Sequence, residues 1–246
     1  MSSFCTNNNI LAVVPVRAGS KGLSNKNIRD LNGKPLFLHA VAQALRTVGS
    51  VLLSTDIPEI ANMPMPRGCS VLWRPDNLAD DDTPMESVIA HAITEQKLLG
   101  YTLVLLQATS PLRSDSDIQR AIELFKFGNY DLVMTVTEKD KSVLKYGTLS
   151  DGRYIPISNP ENCFKNRQNL PAVYGPNGAV YVFGADSFAV YGGFPSRRIG
   201  VLEVPFERSI DIDSEDDFRL VERIKKSESA GLSQLKSSNL GLGFSS

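Results

Sequence analysis

Unbroken apolar runs recur along this chain at Ile10 to Val16, Val51 to Leu53, Val71 to Trp73, Leu103 to Leu106, Leu132 to Val136, Ala179 to Phe183 and Gly200 to Val204. Short runs rich in Val, Ile and Leu are the signature of strands buried on both faces, as in a parallel sheet. Between several of them the apolar spacing becomes helical. Pro35 followed by Leu36, Leu38, Val41, Ala42 and Leu45 reads as a helix start and an apolar face. The pattern predicts helices over 35–47, 85–98, 115–127 and 215–226. Ser114 with Asp117, and Ser214 with Asp217, have the spacing of a capping box, which gives both aspartates a role as first-turn charges. Strands alternating with helices predict right-handed βαβ units, hence an α/β fold with a mainly parallel sheet flanked by helices.

The rhythm breaks between Thr137 and Tyr174, a polar stretch carrying Pro156, Pro160 and Pro171. It reads as an excursion from the sheet over 138–174 inside a domain spanning 10–226. Residues 1–9 and the Ser-, Gly-, Lys- and Asn-rich tail 227–246 are expected to be flexible. There is no internal repeat.

At 246 residues the chain suits one α/β domain with an insertion. A net charge of -1 and a pI near 6.2 argue against a general nucleic-acid or membrane-surface binder, so no nucleic acid and no membrane are expected as partners. Cys5, Cys69 and Cys163 lie far apart without Cys-x-x-Cys spacing, which fits a reducing compartment and indicates no zinc site. The apolar runs fall short of a membrane span, and the polar stretch Met1 to Asn9 has no signal-segment pattern. A cytoplasmic location is expected.

Positive charge is local instead. Arg17, Lys21, Lys26 and Arg29 fall in a stretch without an acidic residue, on a loop with Gly19 and Gly22 directly after the first strand. Glycines let backbone amides approach a ligand, and the carboxyl end of a parallel strand is where open α/β sheets bind. The loop therefore suits a polyphosphate. It is neither a P-loop, since Leu23 follows Gly22, nor a Gly-x-Gly-x-x-Gly dinucleotide loop.

Asp211 and Asp213, read as alternate residues of a strand, face one side at a spacing suited to Mg²⁺; the plainer reading is a solvated acidic strand end before the cap at Ser214. Gln107 ends the buried strand Leu103 to Leu106 and is either a site residue or a loop-stabilising amide. Arg74 ends another strand as a base or phosphate contact, while Asp56 reads as a strand terminator or short-helix cap. Asn177 and Tyr181 alternate with buried positions, where a core Tyr with a satisfied hydroxyl is the simpler account. His39 and His91 lie on predicted helices without nucleophile or carboxylate partners, so a Ser/His/Asp hydrolase has no support.

Together, the loop Val16 to Asn27, the strand end Leu105 to Arg113, the segment Asn177 to Tyr181 and the stretch Ser209 to Asp213 resemble the acylneuraminate cytidylyltransferases, the CMP-sialic acid synthetases. The match runs in order from about Ile10 to about Ile224. The resemblance implies a Rossmann-like nucleotidyltransferase fold with a small dimerisation excursion, and transfer of CMP from CTP to the anomeric hydroxyl of a nine-carbon 2-keto sugar acid, with Mg²⁺ and release of pyrophosphate. By position it assigns Arg17, Ser20, Lys21, Lys26, Asn27 and Arg74 to the nucleotide, with Arg17, Lys21 and Asp211 in the catalytic set. Asp211 and Asp213 become metal ligands, and Gln107, Asn177 and Tyr181 sugar contacts. Lys145 and Arg167 match basic residues that reach the sugar acid across a homodimer interface, Arg being suited to a carboxylate. No residue stands out as a general base, so the proton goes to Asp211 or to water.

The chain departs from the family pattern at Ser24, where Pro is common, at Met63-Pro64-Met65-Pro66, and at Gly175 and Gly192-Gly193-Phe194 near the expected sugar pocket. The acid is accordingly expected to be of the sialic type, with legionaminic, pseudaminic or another nonulosonic acid as alternatives. Two other readings are weaker. A metal-dependent glycosyltransferase usually carries its Asp-x-Asp in mid-domain and needs no basic first loop; a catalytically silent nucleotide-binding protein would be expected to have lost Lys21 or an aspartate.

Overall fold

The structure, a computed structural model, describes residues 9–19, 22–80 and 82–240, with the backbone alone for 229–240. Each predicted strand forms: β1 (Ile10–Pro15), β2 (Val51–Thr55), β3 (Cys69–Trp73), β4 (Thr102–Leu106) and β5 (Leu132–Lys139) come first. A small hairpin of β6 (Gly147–Ser150) and β7 (Arg153–Pro156) follows, then β8 (Val173–Gly184) and β9 (Ile199–Glu203). The main sheet has the order β3-β2-β1-β4-β8-β5-β9. It is parallel at every pairing except those of β8, which runs antiparallel to both neighbours.

Helices α1 (Leu36–Thr47), α2 (Met85–Glu95) and α3 (Asp115–Phe127) lie within a residue or a turn of their expected bounds. Sidedness follows the alternation of each strand. Ala12 and Val14 of β1 pack with Phe37 and Val41 of α1 and Ile118 and Ala121 of α3 on one face, while Val13 packs with Ile89 and Ala92 of α2 on the other. The sequence pattern does not signal α4 (Ala185–Tyr191), whose seven residues are too few to show a helical period; Phe188 secures it to the second face. α5 (Glu215–Leu240) runs past the expected end at 226. No proline interrupts residues 227–240. Residues 1–8 and 241–246, also expected to be flexible, lie outside the described residues.

Both capping boxes form. Ser114 Oγ accepts from the Asp117 backbone N–H while the Asp117 carboxylate accepts from the Ser114 N–H, and Ser214 with Asp217 repeats the exchange. Asp117 does more than cap: it is buried and takes two hydrogen bonds from Arg208, anchoring the segment before Asp211 to α3.

The excursion carries short turns, the β6–β7 hairpin and exposed Tyr146, Leu149, Tyr154, Ile155, Ile157 and Phe164. Among the described residues no helix is long and apolar enough to cross a membrane.

Candidate active site

Because β1, β2, β3 and β4 are parallel, their carboxyl ends open on one edge of the sheet, and the polar residues after each strand meet there. A cleft of about 220 Å³ at this edge is lined by Arg17 and Asn27 from the first loop, Arg74 after β3, Gln107 and Thr109 after β4, and Asp211. Lys26, Met85 and Asp213 complete much of the wall. Seven residues singled out from the sequence thus share one cavity. Ser20 and Lys21, expected to hold phosphate, lie outside the described residues.

The first loop is held from two sides. Asp56, after β2, accepts the Ala18 backbone N–H on its carboxylate, and Asn27 Nδ2 donates to the Arg17 carbonyl across 2.9 Å. On the other side, a Cβ at Gly22 would collide with the Asp213 carbonyl oxygen, so the chain passes there only with glycine. Lys26 Nζ donates to the Ile212 carbonyl and to Asp213 Oδ1, and Arg29 grips Glu215 through two nitrogens while stacking on the Phe218 ring. Basic loop and acidic segment therefore form one docked unit.

Arg74 is buried, with Nε and a terminal nitrogen on Ser54. Burial pulls its pKa down to about 10, with Asp56 opposing the shift and Arg17 adding to it, so it is still a cation at neutral pH. Arg17 donates to the Gly19 carbonyl.

Asp211 and Asp213 are not on a strand, contrary to the sequence expectation. Ser209 to Asp213 is an irregular stretch after a short turn, fixed by the Ile212 N–H to the Thr109 carbonyl at 2.9 Å and by burial of the Ile212 side chain. Tertiary packing, not a ladder, sets the two aspartates. They are unequal: the Asp213 side chain is 75% exposed, whereas Asp211 has a buried Oδ1 with no hydrogen-bond partner. Burial raises the Asp211 pKa, Thr109 opposes the shift by hydrogen bonding, and Asp213 adds to it. Among the described residues no three His, Cys, Asp or Glu side chains cluster as a cation cage.

Arg113, to which the sequence assigned no role, lies beneath this wall. It is 2% exposed, and one nitrogen donates to the carbonyls of Gln107 and Ala179, tying β4's end to β8. Burial lowers its pKa to about 9 against the opposing pull of Asp211. A charged residue after Pro111-Leu112 gives no sequence sign of burial.

The expected sugar contacts divide. Gln107 lines the cleft, and its Oε1 would sit 2.9 Å from a Cβ at Gly178, whose φ of +76° also favours glycine. Asn177 is buried at an irregularity in the β5–β8 pairing, where Oδ1 accepts from Thr135 and the Ala179 N–H and Nδ2 donates to Thr137. Its amide thus shapes the strand that carries Gly178. Tyr181 packs against Phe194, and burial raises its hydroxyl pKa, with the charge of Asp211 adding to the shift. Phe194 also meets Phe183 and Phe188, so the Gly192-Gly193-Phe194 turn feeds an aromatic cluster. Arg167 lines a separate groove with Lys139, Glu203 and Phe206 and pairs with Asp140 at 3.2 Å; Lys145 sits in the excursion. Neither lines the cleft of this chain.

Residues 11–152 match the family model described as Cytidylyltransferase. The chain belongs to this family. It is 30% identical to the N-acylneuraminate cytidylyltransferase of Streptococcus agalactiae over 213 residues, 85% of this chain and 51% of the relative, so it spans about half that relative's length. To the CMP-N,N'-diacetyllegionaminic acid synthase of Legionella pneumophila it is 31% identical over 225 residues, covering 87% of this chain and 95% of the relative. Its fold is similar to that of a solved CMP:2-keto-3-deoxy-manno-octonic acid synthetase complexed with CTP, at a TM-score of 0.66 and 16% identity, covering 89% and 99% of the two chains. The fold is thus the Rossmann-like α/β fold of nucleotidyltransferases.

Proposed function

We propose that this cytidylyltransferase moves CMP from CTP to the anomeric hydroxyl of a nonulosonic acid of the sialic type and releases pyrophosphate. The observation that carries the reading is the convergence of Arg17, Lys26 and Arg74 with Asp211, Asp213 and Gln107 on one cleft. The names of its relatives support a sugar acid as acceptor, and legionaminic or pseudaminic acid belongs to the same proposal.

Substitution at the α-phosphorus leaves negative charge on the departing pyrophosphate, so fixed cations on its side lower the barrier. Arg17, Lys26 and Arg74 provide that charge, and Lys21 joins them in this reading. In this reading Gln107 offers an amide to the sugar, and Tyr181, which pairs with Leu105 of β4, is assigned to the same side. Asp211 or water takes the proton of the attacking hydroxyl.

The acidic pair fits a hard divalent cation such as Mg²⁺. Asp211 Oδ1 is buried without a partner, and a cation beside it would reverse both the burial and the like-charge contributions to its raised pKa. Two carboxylates plus substrate phosphates form the usual set for nucleotide chemistry. Mg²⁺ bound by Asp211 and Asp213 would neutralise phosphate charge and lower the pKa of the sugar hydroxyl.

The exposed apolar residues of the excursion support a homodimer in which Lys145 and Arg167 serve the partner's sugar site. The use of CTP supports a cytoplasmic location. The test is pyrophosphate release from CTP with a panel of eight- and nine-carbon sugar acids, with UTP and ATP as controls. Release with one acid identifies the acceptor; none with any acid refutes the reading.

A further inference from the structure

Lys26 occupies an unexpected position for a phosphate ligand. Its ammonium lies 2.9 Å from Asp213 Oδ1 and 2.8 Å from the Ile212 carbonyl oxygen. The Lys26 side chain is 12% exposed, so a largely sheltered cation reaches a carboxylate at the cleft rim. The Asp213 backbone is held, with its carbonyl against Gly22 and its N–H on the Asp217 carboxylate. Lys26 can move. It has a four-carbon stem on a short turn, Lys26–Ile28, and lines the same cleft as Arg17 and Arg74. Arg29 cannot replace it at Asp213, because both ends of its fork are held by Glu215 and its plane rests on Phe218.

We propose that Lys26 is a resident cation that closes Asp213 in the free protein, and that an arriving nucleoside triphosphate draws its ammonium away and so opens Asp213 to a divalent cation. The proposal rests on the cytidylyltransferase reading and adds to it an order of loading. A divalent ion and an ammonium on one carboxylate repel each other at short range. A triphosphate, with several anionic oxygens, is the stronger partner for the lysine than one exposed carboxylate. Nucleotide and metal thereby favour each other's binding through one side chain.

The test is Mn²⁺ binding, followed by electron paramagnetic resonance of the free ion, to the wild type, Lys26→Met and Lys26→Gln without nucleotide. Both variants are expected to bind Mn²⁺ about tenfold tighter than the wild type, the scale of removing one like charge beside the ion. Adding Asp213→Asn to either variant should abolish the gain. Equal affinities of the wild type and the folded variants would overturn the exchange. In the wild type itself, the ¹³C-dimethyl signal of reductively methylated Lys26 should shift on adding metal-free CTP; an unmoved signal would also overturn it. The parent reading is tested apart, by Mn²⁺ bound to wild type plus CTP beyond that held by CTP alone. No such binding contradicts the metal reading, and the proposal with it.

Discussion

Asp56, at the end of β2, accepts the backbone N–H of Ala18 at 3.0 Å, and so fixes the start of the basic loop from a neighbouring strand. Its carboxylate also opposes the lowering of the Arg74 pKa. One residue serves both the backbone and the charge of the proposed nucleotide side. Replacing it by Ala should raise KM for CTP about tenfold, the cost of one charge-assisted hydrogen bond, with a small change in kcat. Steady-state kinetics decide this; an unchanged KM would show that the loop holds without Asp56.

Gly22 makes a sharper prediction. A methyl at this position collides with the Asp213 carbonyl, which must move and take the acidic segment with it. Gly22→Ala should lower turnover at least tenfold, on the scale expected when catalytic groups are displaced by about 1 Å. Circular dichroism should show an intact fold. Near-normal turnover would mean that the loop and Asp213 need not stay docked.

Arg113 tests the wall beneath the site. Arg113→Ala strands the carbonyls of Gln107 and Ala179 and leaves a cavity, at a cost of about 3 kcal/mol. Urea unfolding measures it, and a loss under 1 kcal/mol would show that the buried guanidinium is not what joins β4 to β8.

The pair of Arg29 and Glu215 gives a pH dependence. Hydrogen bonding from Arg29 holds the Glu215 pKa down at about 2, against an ordinary value of 4.5. A carboxylate with a depressed folded-state pKa contributes stability above its unfolded pKa and loses it as pH falls through the folded one. The melting temperatures of wild type and Glu215→Gln should therefore differ most above pH 4.5 and converge toward pH 2. A constant difference across that range would contradict the assignment.

How far the sequence foretold this molecule differs from element to element. β1 and β4 were legible because strands buried on both faces leave no polar residue in the run, and α3 because Ser114 and Asp117 mark its start. The antiparallel course of β8 was not, since strand direction depends on how the excursion returns the chain. The site residues on strand ends were legible for the same reason as the strands. Arg113 and the anchoring role of Asp56 were not, because hydrogen bonds to distant backbone leave no local pattern. The acidic pair was found by spacing, yet its surroundings differ from those expected: Thr109 and Lys26, brought from elsewhere in the chain, fix a stretch with no ladder of its own.

The dimer reading is tested by sedimentation, which should give twice the chain mass of 26.9 kDa. A fully active monomer would remove Lys145 and Arg167 from any partner's site. Substituting Asp211 by Asn should lower turnover at least tenfold with the fold intact, because it weakens the proposed hold on the metal, and Lys21→Ala should do the same by removing a cation assigned to the phosphates in this reading.

The proposed reaction is attack by a sugar hydroxyl on the α-phosphorus of CTP within the cleft of Arg17, Arg74 and Asp211. The most direct measurement is ³¹P NMR of the protein with CTP, Mg²⁺ and the accepted nonulosonic acid. The three CTP signals should give way to one phosphodiester signal and one pyrophosphate signal of twice its intensity. Formation of CDP and inorganic phosphate, or persistence of CTP with every acid, would contradict it.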